Sequence, residues 1–145
     1  MGILQAHAAV SLALAAVVWL VQLVVYPAFR WIEPARFRSW HEGYTGAVTW
    51  VVAPLMLLQV AGVAARYWFL GDLEPLWVLE AACTFVAWAV TVFVSVPIHA
   101  RLQTELSPES RLAAMRRLVR TNWPRTAAWS VCAVCSGLAA CKDTF

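Results

Sequence analysis

The sequence predicts an all-α integral membrane protein, a four-helix transmembrane bundle, from three observations. First, 62% of its 145 residues are hydrophobic and only 13% are charged, against roughly 25% charged in an average soluble domain; the mean hydropathy is +0.68. Second, four apolar stretches each approach the length of about 20 residues that a membrane-crossing helix needs. Third, nine of the eleven Lys and Arg residues fall in two of the three connections, which an even number of crossings places on one side. A soluble fold of this size has nowhere to hide so much apolar surface. The length fits one bundle spanning 1–145, not two domains.

The first span is expected over about 6–29. The stretch before Arg30 has no Lys or Arg and is longer than a signal-peptide core, so it reads as retained rather than cleaved. The second span is expected over about 46–65, with Pro54 kinking it. The third covers about 76–98 and the fourth about 124–140. No stretch alternates with the period of two that a barrel strand requires.

The connection after the first span carries Arg30, Arg36 and Arg38. Within it Glu33-Pro34 is a candidate helix start, and Ser39 to Glu42 has the spacing of a capping box. His41, Tyr44 and Thr45 then share one helical face. The connection after the third span carries Arg101, Arg111, Arg116, Arg117 and Arg120, with Arg125 at the mouth of the fourth span. Ser107-Pro108-Glu109 is a helix start signal. Leu112, Met115, Leu118 and Val119 recur at helical spacing among the arginines, which predicts a short interfacial amphipathic helix over about 108–121, lying on the leaflet. By the positive-inside rule both basic connections are cytoplasmic and both termini exterior, with a bacterial inner membrane as the expected location. The lipid bilayer is the expected partner, and the absence of any recognition motif argues against nucleic acid.

Nine tryptophans are many for this length. Trp31, Trp40, Trp68, Trp77 and Trp123 fall at span ends, where indoles anchor. Trp19, Trp50, Trp88 and Trp129 lie deeper. They serve either bundle packing or, for Trp50, Trp88 and Trp129 together with Tyr26, the walls of a site for a flat cofactor or substrate. Cys132 and Cys135 have CxxC spacing but sit mid-span among small residues, so close helix packing is the preferred reading. His7 reads as a solvated end residue, Glu80 as a partner of Arg66 near that face, and Gln22 and Gln59 as interhelical hydrogen-bond partners.

The chemistry-bearing residues converge at the basic end: Tyr26, His41, Glu42, Tyr44, His99, Arg101, Asn122 and Arg125. Three readings stand side by side. His99 or His41 acts as a general base, Arg101 or Arg125 holds the resulting oxyanion, and Asn122 and Tyr44 orient the substrate. Alternatively, His41 and His99, with Glu42, bind a metal or haem iron. In the third reading the same groups are a structural lock.

Val96-Pro97-Ile98-His99-Ala100-Arg101-Leu102, followed by Asn122-Trp123-Pro124-Arg125-Thr126, resembles the pattern of small four-span proteins related to anthrone oxygenases. There the third span closes on VP(I/L)NxxL and the fourth opens on (H/N)xxRT; here His99 stands at the usual Asn, and Asn122 where His is common. The resemblance implies oxidation of an electron-rich polycyclic phenol by O₂ without a bound cofactor. The functional expectation is therefore a small membrane oxidoreductase, oxygenase-like, acting on an apolar aromatic or quinone-like molecule. The alternative is an accessory subunit or a module binding haem, metal, quinone or pigment, docked to partner membrane subunits or to its own copies. Ser136 and Ala140, at small-xxx-small spacing, would suit such docking.

Overall fold

The computed structural model describes residues 2–104 and 106–142. Among these residues the chain is helical throughout, with turns between helices and no strand. Helix α1 runs Ile3–Trp31, α2 Phe37–Leu70, α3 Pro75–Leu102 and α4 Pro108–Lys142. By length and composition α1, α2 and α3 are each apolar and long enough to cross a membrane.

Local chemistry sets the helix ends. Gly71 closes α2 in the left-handed conformation at φ 63°, open to glycine without strain. Its N–H donates to the Tyr67 carbonyl, and the Asp72 N–H to that of Arg66. Pro75 opens α3 at its first turn. The Ser107 hydroxyl caps α4 by accepting the Ser110 N–H at 3.2 Å, as the start signal predicts. The capping box predicted at Ser39 does not form. The helix already begins at Phe37, Ser39 donates to the Arg36 carbonyl, and Glu42 turns outward to Arg38 at 3.1 Å.

Two interruptions bear on the site. α1 has a π-helical turn at Val21–Val25 and α3 one at Thr91–Ser95. Each is followed within two residues by a proline, Pro27 and Pro97. A proline lacks the N–H that a regular helix would donate, and a wider turn absorbs the misfit. Tyr26 follows the first of these turns directly, and His99 lies one helical turn past the second.

The predicted interfacial helix is corrected. Residues 108–121 are not a separate short helix; they are the first turns of the continuous 35-residue α4, and Pro124 sits inside it without ending it. An apolar stripe among arginines fits a leaflet or a protein core equally well. Here Ala114 and Leu118 join Val21, Tyr26, Phe29, Phe37, Ile98 and Leu102 in a buried cluster. At 1.5 Å per residue α2 and α4 are each roughly 50 Å long, longer than the roughly 30 Å thickness of a hydrocarbon layer.

Helix order around the bundle is α2–α1–α4–α3. α4 packs extensively against α1 and α3, and α1 against α2, whereas α2 and α3 touch sparingly. A second buried cluster, with Leu14, Val18, Met56, Ala87, Trp129 and Cys132, fills the middle. All four cysteines are free, and Cys132, Cys135 and Ser136 are spent on packing inside this bundle rather than on an outward docking face.

The end opposite the arginines is locked by buried charge. Glu80, fully buried, accepts from His7 Nε2 at 2.7 Å, from Gln59 Nε2 at 3.0 Å and from the Arg66 guanidinium. Arg66 also donates to Asp72, and Ser11 donates to Gln59. The expected Arg66–Glu80 and Gln59 partnerships are present. His7 differs from expectation: it is 4% exposed, not a solvated end residue. Its ring fits because Gly62 faces it without a side chain; a Cβ there would overlap the imidazole. Gly62→Ala is therefore expected to push His7 off Glu80 and lower stability by about 1–3 kcal/mol. Detergent-unfolding curves check this, and His7→Ala should then restore part of the loss in the double variant.

Candidate functional site

The sparse contact between α2 and α3 leaves a seam, and the seam is closed at both ends by hydrogen bonds. At the Arg66 end the closure is Gln59 to Glu80. At the basic end it is His41 to His99 at 3.0 Å and Gln103 to Thr45 at 2.9 Å. Between the closures lies a cavity of about 320 Å³ with almost wholly apolar walls, within the size range of ligand pockets. Val48, Val52 and Met56 of α2 and Trp88, Thr91 and Ser95 of α3 line it. Exposed Thr49, Leu57, Val92 and Val96 form a lateral mouth.

The polar groups collect at one end of this cavity. Tyr26, 3% exposed, meets His99 Nε2 through its hydroxyl at 3.2 Å. His99 Nδ1 in turn meets His41 Nε2. His41 is fully buried, stacked on Phe37 and edge-on to Phe29, with Nδ1 left without a partner. Tyr44 lies tilted beside both imidazoles, its ring stacked on Trp40. With both imidazoles neutral the row Tyr26–His99–His41 has two proton arrangements. Either His41 donates to His99 and His99 to Tyr26, or both bonds run the other way. Reversing the row shifts a proton toward or away from the cavity without moving a heavy atom.

Arg125 completes the end. Its side chain lines the cavity, is 6% exposed and stands beside the Tyr26 hydroxyl. Among the described residues no carboxylate lies within 4.0 Å of it, and its Nε–H has no acceptor. Two further donors that line the cavity are also unanswered, Ser95 Oγ and Trp88 Nε1. Buried polar groups in proteins are normally paired. Among the described residues Arg125, Ser95 and Trp88 thus each bring a donor without a protein acceptor to the wall of one apolar cavity.

Of the residues singled out in the sequence, His99, His41, Tyr44, Arg125 and Tyr26 are brought together, and Trp88 forms a cavity wall. The rest are elsewhere. Arg101 is exposed at the end of α3, outside the cluster. Asn122 is fully buried but a layer away, where it donates to Gln22 Oε1 at 2.6 Å while Gln22 donates to the Val119 carbonyl; it ties α1 to α4. Trp50 is 83% exposed and points away from the cavity, because an indole tolerates lipid as well as protein. Trp129 is buried in the central core and does not line the cavity. Glu42, paired outward with Arg38, does not join the histidines, and among the described residues no cluster of three or more His, Cys, Asp or Glu is assembled for a metal. Sequence reasoning missed Ser95 and Gln103. The signal for Ser95 was a hydroxyl in an apolar run two residues before a proline.

No protein-family model, curated protein or solved structure matches the chain.

Proposed function

We propose that this chain is a four-span membrane protein that takes an apolar aromatic molecule with one phenolic or quinone-like oxygen from the lipid into the α2–α3 seam. The observation that carries this reading is the buried Arg125 guanidinium, without a carboxylate among the described residues, at the polar end of a laterally open apolar cavity. A charge at such depth is costly unless something answers it. A ligand oxygen carrying negative charge answers it best, through charge-assisted hydrogen bonds from Arg125 and support from Ser95 and Tyr26. In this reading the arginine-rich end faces the cytoplasm, both termini face outward, and the membrane is a bacterial inner membrane.

The row behind Tyr26 supplies acid–base chemistry. As the ligand O–H gives its proton to Tyr26, Tyr26 gives its own to His99, and His99 passes its Nδ1 proton to His41. The ligand becomes an oxyanion beside Arg125, and His41 holds the positive charge within its aromatic surroundings. The resemblance to anthrone oxygenases supplies the oxidative half of the reaction. The ligand enters as the enol tautomer, and in its oxyanion the electron-rich ring C–H carbon adds O₂ to give a hydroperoxide that takes up the His41 proton; loss of the ring C–H proton with O–O cleavage then leaves two C=O groups and expels one oxygen atom as water.

The test uses the purified full chain in micelles with an anthrone in air-saturated buffer. Saturable quenching of tryptophan fluorescence and accelerated quinone formation are expected. His99→Gln should retain binding and lose about 100-fold or more in rate. Absence of saturable binding would contradict the site. Binding with no turnover in the native chain would leave the binding-module reading in place of the oxidoreductase.

A further inference from the structure

A second recess lies on the other side of Tyr26, between α1 and α4 at the basic end. It has a volume of about 600 Å³, a floor of Pro27, Met115 and Val119, and a rim of Arg30, Arg116 and Arg120. Arg116 and Arg120 are one turn apart on α4 and face Arg30 across the groove. Among the described residues none of the three guanidiniums lies within 4.0 Å of a carboxylate. Of the other exposed arginines at this end, Arg36 pairs with Glu33 at 3.5 Å and Arg38 with Glu42 at 3.1 Å, while Arg101 and Arg117 stand outside the groove, with no carboxylate within 4.0 Å among the described residues. Trp31, 77% exposed, lies under the Arg30 guanidinium at 4.9 Å, an arrangement suited to headgroup depth.

We infer that this groove is a binding site for the headgroup of an anionic phospholipid. Three unpaired guanidiniums match phosphate oxygens in charge and geometry. The apolar floor beneath them receives the first carbons of the acyl chains, which a soluble anion lacks. The upright stance of α4 makes the site: a helix lying flat on the leaflet would present its arginines as a diffuse field, whereas this one sets two of them against a third from α1. The site shares the Tyr26 wall with the seam cavity, but its arginines are not among those that line that cavity.

Native mass spectrometry of the full chain in neutral detergent tests the inference, with phosphatidylglycerol or phosphatidylcholine added. One phosphatidylglycerol per chain should be retained in preference to phosphatidylcholine. Each arginine near a membrane surface contributes about fivefold, so Arg116→Gln/Arg120→Gln should weaken retention about 25-fold. Arg116→Lys/Arg120→Lys should retain most of it. Arg36→Gln/Arg38→Gln removes the same charge from the same end and should leave retention unchanged, with circular dichroism confirming that every variant is folded. Equal retention of the two lipids would overturn the site, as would equal losses in the two Gln pairs. So would stabilisation by millimolar inorganic phosphate equal to that by phosphatidylglycerol, which would make the ligand a soluble anion.

Discussion

Glu80→Ala is expected to be the most destabilising single substitution in the chain, at about 3–5 kcal/mol. Among the described residues Glu80 alone accepts from His7 Nε2 and Gln59 Nε2, and it shares Arg66 with Asp72. Its loss leaves a buried guanidinium with one carboxylate that is itself partly exposed, and two buried donors with none. Glu80→Gln keeps the shape and part of the hydrogen bonding but not the charge, so an intermediate loss is expected. Unfolding in mixed micelles with increasing sodium dodecyl sulfate measures both. A loss below about 1 kcal/mol for Glu80→Ala, the scale of an exposed pair, would show that the lock does not hold the Arg66 end together.

Arg125→Met should behave in the opposite way. Arg125 is as deeply placed as the groups of that lock, yet no carboxylate answers it among the described residues. Replacing an unanswered buried charge by an apolar side chain of similar volume is neutral or stabilising. The ligand-free variant should therefore melt at the same temperature as the native chain or higher. Binding of a phenolic or quinone-like ligand should weaken about 10- to 100-fold, the worth of a charged hydrogen bond of about 1.4–3 kcal/mol. A structural role for Arg125 would reverse the first result: the melting temperature would fall, and ligand affinity would fall only in step with it. Opposite signs at Glu80 and Arg125 separate a group that holds the fold from one held by the fold for a ligand.

Much of the architecture was legible because bilayer constraints are coarse. Apolar runs of the right length, with the arginines gathered in two connections, required the helix ends bearing His41 and His99 to share one end of the bundle. The 3.0 Å contact between those imidazoles is the structural outcome. Helix order was not legible, since hydropathy records that a segment is buried but not which neighbour buries it. The α2–α3 seam, and with it the cavity, therefore had no signature. Trp50 and Trp88 look alike in sequence, yet one faces outward and the other lines the cavity. His7 lies five residues past the first glycine, where solvent exposure was the natural expectation; the space for its ring is made by Gly62, 55 positions away in the chain. The leucines and arginines of residues 108–121 carry the same amphipathic pattern whether the apolar face meets acyl chains or Phe29 and Phe37. Burial of Leu118 in the protein core decides between them.

In the proposed function a molecule from the lipid enters between α2 and α3 and places its oxygen against Arg125 and the Tyr26–His99–His41 row. Photo-cross-linking tests this most directly, using a lipophilic phenol that carries a diazirine on its apolar end and the full chain in lipid nanodiscs. Label is predicted on the cavity walls of α2 and α3, around Met56 and Trp88, and an excess of unlabelled phenol should compete it away. Label spread evenly over outward positions such as Trp50, Phe85 and Phe93, and unaffected by competitor, would contradict the account.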